Sequence, residues 1–70
     1  MTDRVLAGFL SGHEGKAFCS RCLAEMLTIS RRDVIAGTSA LRSSGEVEIL
    51  DAVCANCLTW DVVIRCAVAG

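Results

Sequence analysis

Proline and tyrosine are both absent from this 70-residue sequence, and one Trp and two Phe are its only aromatics. Without proline there is no stiff spacer to divide the chain, and no internal repeat or low-complexity tract divides it either. The sequence therefore reads as a single domain, residues 1–70. With so few rings in a composition that is 53% hydrophobic, the core has to be built from Leu, Val and Ile.

An excess of charge of either sign is missing too. Seven Lys and Arg against eight Asp and Glu leave a formal net charge of -1 and a pI near 5.6, so no overall basic field draws in nucleic acid. No stretch approaches the roughly 18 apolar residues of a membrane span. The N-terminal MTDRVLAGFLSG lacks the apolar run and small-residue cleavage site of a secretory signal. A cytosolic chain away from the membrane is the expectation.

What is present in quantity for so short a chain is cysteine, with five copies. Small domains bury too little surface to be stable on packing alone and lean on a metal or on disulfides. In a reducing compartment thiols stay reduced, which favours a metal, and the odd count points the same way. Two disulfides with a spare thiol would require an oxidising compartment.

Four of the five form two Cys-x2-Cys pairs, Cys19 with Cys22 and Cys54 with Cys57, separated by residues 23–53. That spacing lets both thiolates of a pair turn onto one ion, and four thiolates satisfy tetrahedral zinc. The long interval places whole helices between the halves of the site. One structural Zn2+ is expected, contributing on the order of 10 kcal/mol to folding, so the apoprotein should be partly or fully unfolded. Four thiolates leave no position for water or substrate, which argues against an enzyme and against a small-molecule substrate. His13 has two readings, a ligand replacing one cysteine or donating to a bound sulfur, and a solvated loop histidine. Cys66 reads as a small buried hydrophobe.

Periodicity supplies the elements. Residues 3–10 place Val5, Leu6, Phe9 and Leu10 on one helical face, and Gly12 and Gly15 then break the pattern. At most a short extended piece precedes Cys19. Residues 20–27 form a second helix with Leu23, Met26 and Leu27 inward and Ser20 as its cap. After a turn at Thr28-Ile29, Ser30-Arg31-Arg32-Asp33 opens a third helix to about Ser43, with Val34, Thr38 and Leu41 buried. Gly45 is placed to end it in a left-handed conformation. Period two follows: Glu46 and Glu48 alternate with Val47 and Ile49, and Trp60 to Val68 forms the partner strand. In that strand Val62, Ile64, Cys66 and Val68 share one face, with Asp61, Val63, Arg65 and Ala67 on the other. The Cys54–Cys57 segment becomes the hairpin turn, and the fold class is α+β, three helices followed by a β-hairpin.

The order helix, short extended segment, helix, tight turn, helix, hairpin resembles the winged helix-turn-helix fold over nearly the whole chain. Its most specific stretch is Cys22 to Ile35, which looks like the helix-turn-helix of bacterial regulators, with Ile29 and Val34 packing the turn. In such a fold the first strand runs antiparallel to the last wing strand, which brings Cys19 near Cys57. The resemblance implies a DNA-binding transcriptional regulator, with Arg31, Arg32 and Arg42 on the third helix as DNA contacts and the hairpin as a wing.

The sequence departs from that pattern in two places. The outward face of the third helix carries Ala36, Ser39 and Ser43, with no Asn, Gln or Lys for base edges. The wing carries Glu46, Glu48, Asp51 and Asp61 against Arg65 alone. The alternative is a zinc-stabilised protein-interaction module, self-association included, for which the small residues Ala36 to Ala40 would allow close approach of another helix. Gly37 inside a helix costs up to about 1 kcal/mol, which calls for a packing reason.

Overall fold

The computed structural model describes residues 2–67. In chain order the elements are α1 (Thr2–Ser11), β1 (Phe18–Cys19), α2 (Ser20–Leu27), α3 (Arg31–Ser43), β2 (Val47–Val53) and β3 (Trp60–Cys66). The hairpin is joined by the two-residue β1, which makes a three-stranded antiparallel sheet in the order β1-β3-β2. Phe18 pairs with Ile64 and Cys19 with Val63. Val68, expected at the end of the last strand, lies outside the described residues.

Both ends of α3 and the C-terminal end of α2 have local causes. Ser30 caps α3 by accepting the Asp33 N–H on its Oγ at 3.1 Å, so the Ser-x-x-Asp signal acts as expected. At the other end Gly45, at φ +78°, lets the Glu46 N–H reach the Leu41 carbonyl at 2.9 Å and its own N–H reach Arg42 at 3.1 Å. Those two bonds satisfy carbonyls that the helix leaves unpaired. Thr28 closes α2 in the same left-handed conformation, at φ 55° and ψ 47°.

Ser20 is not a cap. It is the first helical residue of α2, and the N-cap is Cys19, held extended by its pairing in β1 with no side-chain capping bond.

The core is aliphatic, with Phe18 the one aromatic among its fully covered members. Leu6 and Leu10 of α1, Leu23 of α2, Val34 and Leu41 of α3, and Val63 of β3 are each within 1% of complete burial. The α1 stripe is narrower than its periodicity implies: Leu6 and Leu10 are buried, Phe9 is half-buried, and Val5 is exposed. Met26 of α2 is likewise exposed. A chain of this size has no second layer to cover the flanks of its helices.

Gly37 explains itself by α1. A Cβ built there would stand 2.7 Å from Leu6 Cδ1 and 3.4 Å from the Asp3 backbone, so α1 crosses α3 where no side chain fits. The small-residue run of α3 is therefore partly used inside the fold: Gly37 and Thr38 are buried, while Ala36, Ser39 and Ala40 are exposed.

The strands also depart from simple alternation. Val63 and Ile64 follow one another in β3 and both are buried, although successive strand residues point to opposite faces. The central strand is thus covered on both sides at that level. Nearer the turn the same strand is bare, with Trp60 and Val62 exposed.

Candidate metal centre

Each of the four sulfurs is delivered by a particular piece of backbone. Cys19 ends β1 and caps α2, and Cys22 stands in the first turn of α2. Both residues of this pair therefore sit at the start of α2. Cys54 leaves β2, and Cys57 follows in the turn. That turn is closed by the Leu58 N–H donating to the Cys54 carbonyl and the Cys54 N–H donating to the Thr59 carbonyl, both at 2.9 Å. The Ala55 N–H then donates to the Ala17 carbonyl at 2.8 Å. This bond docks the hairpin turn on the segment that leads into Cys19.

The outcome is a cluster in which the Sγ atoms of Cys19, Cys22, Cys54 and Cys57 all lie within 4.8 Å of one another. Cys19 and Cys57 are 4.0 Å apart. A tetrahedral site with metal–sulfur bonds of about 2.3 Å has edges of about 3.8 Å, so the four thiols stand close to ligand geometry and can hold a metal ion. Cys19, Cys22 and Cys54 are buried and Cys57 is exposed.

Backbone donors prepare the cluster for negative charge. The N–H groups of Cys19 and Asn56 point at Cys54 Sγ, at 3.3 and 3.4 Å. Burial works against ionisation of Cys54, but the N–H groups of Cys57, Cys19 and Asn56 outweigh it and bring that thiol down to about 6. The Cys57 thiol is lowered by the backbone and then the hydroxyl of Thr59. The Asn56 side chain lowers Cys22, yet burial and the facing thiols of Cys19, Cys54 and Cys57 prevail and push it up to about 12. Asn56 is a part of the site that spacing did not single out. Its position inside the second Cys-x2-Cys turn is the one signal that would have found it.

His13 is not in the cluster. Its ring stacks on Phe9 at 4.4 Å between centroids, meets Phe18 edge-on at 5.9 Å, and places Nδ1 2.8 Å from the Phe9 carbonyl oxygen. It finishes α1 and takes no part in the sulfur site. Cys66 pairs with Val47 across the sheet, is partly buried against the core, and lies outside the cluster.

Two of the three arginines of the third helix share one face, about three helical turns apart. Arg31 and Arg42 line one groove between α3 and the hairpin, along with Ile35, Ser39, Ile49 and Val62, whereas Arg32 lies outside it. Residues 31, 35, 39 and 42 recur on one face at helical spacing. Among the described residues no carboxylate lies within 4.0 Å of Arg31, Arg32 or Arg42, and the ion pairs formed involve Arg4 and Arg65. The acidity expected of the hairpin is partly neutralised, because Glu46 pairs with Arg4 at 2.8 Å and Glu48 with Arg65.

No protein family, curated relative or solved structure matches the chain. No helix among the described residues is long and apolar enough to cross a membrane.

Proposed function

We propose that Cys19, Cys22, Cys54 and Cys57 bind one structural Zn2+, and that the winged-helix-like domain it clasps is a protein-interaction module. The donor set supports zinc: four sulfurs within 4.8 Å of one another, three of them buried, make a closed site suited to a structural ion. The helix order and the antiparallel β1–β3 pairing agree with the winged-helix resemblance. A closed coordination sphere gives no catalytic position, so the protein is read as a binding module and not as an enzyme.

The observation that carries the interaction reading is a bare apolar face. Ile35 is 55% exposed, Val62 51%, Val53 49% and Trp60 67%, and all stand on α3 or on the hairpin. In register, Val53 faces Trp60 and Asp51 faces Val62, which puts these hairpin residues with Ile49 on one side of the sheet. A contiguous exposed face of large apolar residues marks a protein contact, whereas DNA interfaces are polar and strongly positive.

A specific observation favours a second reading, the DNA-binding transcriptional regulator. Arg31, Arg32 and Arg42 are exposed on α3 and carry no carboxylate partner among the described residues, and Arg31 and Arg32 open the helix that would enter the major groove.

Photo-cross-linking from position 60 in cells separates the two. Adducts to protein, including a second copy, are expected, with none from Arg21 on the far helix. Adducts to nucleic acid alone would overturn the interaction reading. Salt-sensitive affinity for duplex DNA that falls on substitution of Arg31, Arg32 and Arg42 would establish the regulator instead.

A further inference from the structure

Three of the four cysteines of the metal centre are closed off from solvent and one is not. Cys19, Cys22 and Cys54 are 1%, 3% and 0% exposed, whereas Cys57 reaches the surface. Its neighbours Ala55, Asn56, Leu58 and Thr59 are exposed as well, so the turn that presents it is open. A cysteine bound to zinc is a thiolate, the form that reacts with electrophilic oxygen. Among four such sulfurs, access decides which one meets an oxidant first. Cys57 also has a partner for a second step, because Cys19 Sγ lies 4.0 Å from its own. The other two sulfurs are engaged elsewhere: Cys54 Sγ faces the N–H groups of Cys19 and Asn56 at 3.3 and 3.4 Å, and Cys22 meets the Asn56 side chain. Lone pairs held by N–H groups make a weaker nucleophile. Cys19 Sγ accepts no N–H bond among the described residues.

Resting on the zinc reading above, we propose that Cys57 is the site at which hydrogen peroxide oxidises the metal centre, and that Cys19 completes the reaction by forming a Cys19–Cys57 disulfide. In the first step the Cys57 thiolate attacks one peroxide oxygen, the O–O bond breaks, hydroxide leaves, and Cys57 becomes a sulfenic acid. In the second the Cys19 thiolate attacks Cys57 Sγ, the S–O bond breaks, and another hydroxide leaves. The two sulfurs have then given two electrons to one peroxide. Zinc, unchanged in oxidation state, is left with two of its four ligands and is released. The new bond joins the same two segments that the metal joined, the end of β1 and the hairpin turn.

The test uses the zinc-loaded Cys66→Ser chain, in which every remaining thiol belongs to the cluster. With limiting hydrogen peroxide and dimedone, which traps sulfenic acids, mass mapping should place the adduct at Cys57. With excess peroxide a zinc indicator should report one zinc released for each Cys19–Cys57 disulfide formed, and dithiothreitol with added zinc should restore the starting form. Cys57→His in the same background keeps a zinc ligand at that position and should slow peroxide-driven release about tenfold or more. Zinc retained in excess peroxide, a first adduct on Cys19, Cys22 or Cys54, a disulfide between any other pair, or an unchanged release rate in zinc-loaded Cys57→His would each overturn the inference and leave the zinc reading standing. A reduced chain that takes up no zinc would overturn the zinc reading, and the inference with it. Where Cys57→His holds no zinc, the adduct and disulfide maps decide.

Discussion

The Sγ atoms of Cys19 and Cys57, 38 positions apart in the sequence, lie 4.0 Å from each other. Everything between them, α2, α3 and β2, is enclosed in a loop whose two ends meet at the cysteine cluster. Closing a long loop restricts the unfolded chain more than closing a short one. The metal proposed at that junction would therefore hold together elements that a small core alone holds weakly.

The turn that presents Cys57 contains a strained residue. Leu58 adopts φ 60° while its side chain is 75% exposed, a conformation that disfavours L-residues by about 1–2 kcal/mol. Leu58→Gly relieves the strain and gives up little packing, offset in part by greater freedom in the unfolded chain. A net stabilisation of roughly 0.5–1 kcal/mol is expected in urea unfolding of the zinc-loaded protein. A loss of stability would show that the exposed leucine is packed in solution.

The crossing of α1 over α3 depends on Gly37. Gly37→Val inserts atoms into space already held by Leu6 Cδ1 and the Asp3 backbone. Overpacking of this kind should cost about 1–3 kcal/mol and displace α1, leaving the cysteine cluster in place. The check is a lowered urea midpoint with unchanged zinc stoichiometry. An unaffected midpoint would mean that α1 does not pack here.

Glu46 gives a prediction for acid. Arg4, and after it the Ser44 hydroxyl, hold its carboxyl below the ordinary 4.5, so the folded chain binds this proton less readily than the unfolded chain. The resulting stabilisation is complete above the unfolded value and is lost as pH falls through the depressed folded value. Glu46→Gln should therefore lower the unfolding midpoint at neutral pH, and the gap from wild type should close as the solution is acidified. A gap that persists at the lowest pH would assign the effect to shape and not to charge.

Much of the site was legible because its chemistry is short-range in sequence. Two cysteines with two residues between them can turn onto one ion whatever the surrounding fold, and Ser30 and Gly45 act through bonds within a few residues. Strand β1 was barely legible, since Phe18–Cys19 is too short for any period to register. Ser20 was misplaced for the same reason, because the extended pairing that fixes Cys19 as the cap is a tertiary contact with β3.

Coverage is the property that pattern does not carry. Alternation separates the two faces of β3, but it does not say that Val63 is buried opposite Ile64, or that cover ends before Val62 and Trp60. Val5 and Met26 follow the helical period and still face solvent, because α1 and α2 have neighbours on a narrow stripe only. The apolar face on which the interaction reading rests was invisible for that reason. Its residues look like core until the limits of the neighbouring helices are known.

The central claim is that these four cysteines and no others hold a zinc ion on which the fold depends. Its most direct test is metal analysis of the purified chain, paired with circular dichroism before and after chelation, for wild type and for single Cys→Ser variants. One zinc per chain is expected for wild type and Cys66→Ser, with loss of structure when a strong chelator removes it. Cys19→Ser, Cys22→Ser, Cys54→Ser and Cys57→Ser should each lose the zinc or fail to fold. A wild-type chain that is fully folded and metal-free, or a Cys66→Ser variant that alone loses the ion, would contradict the account.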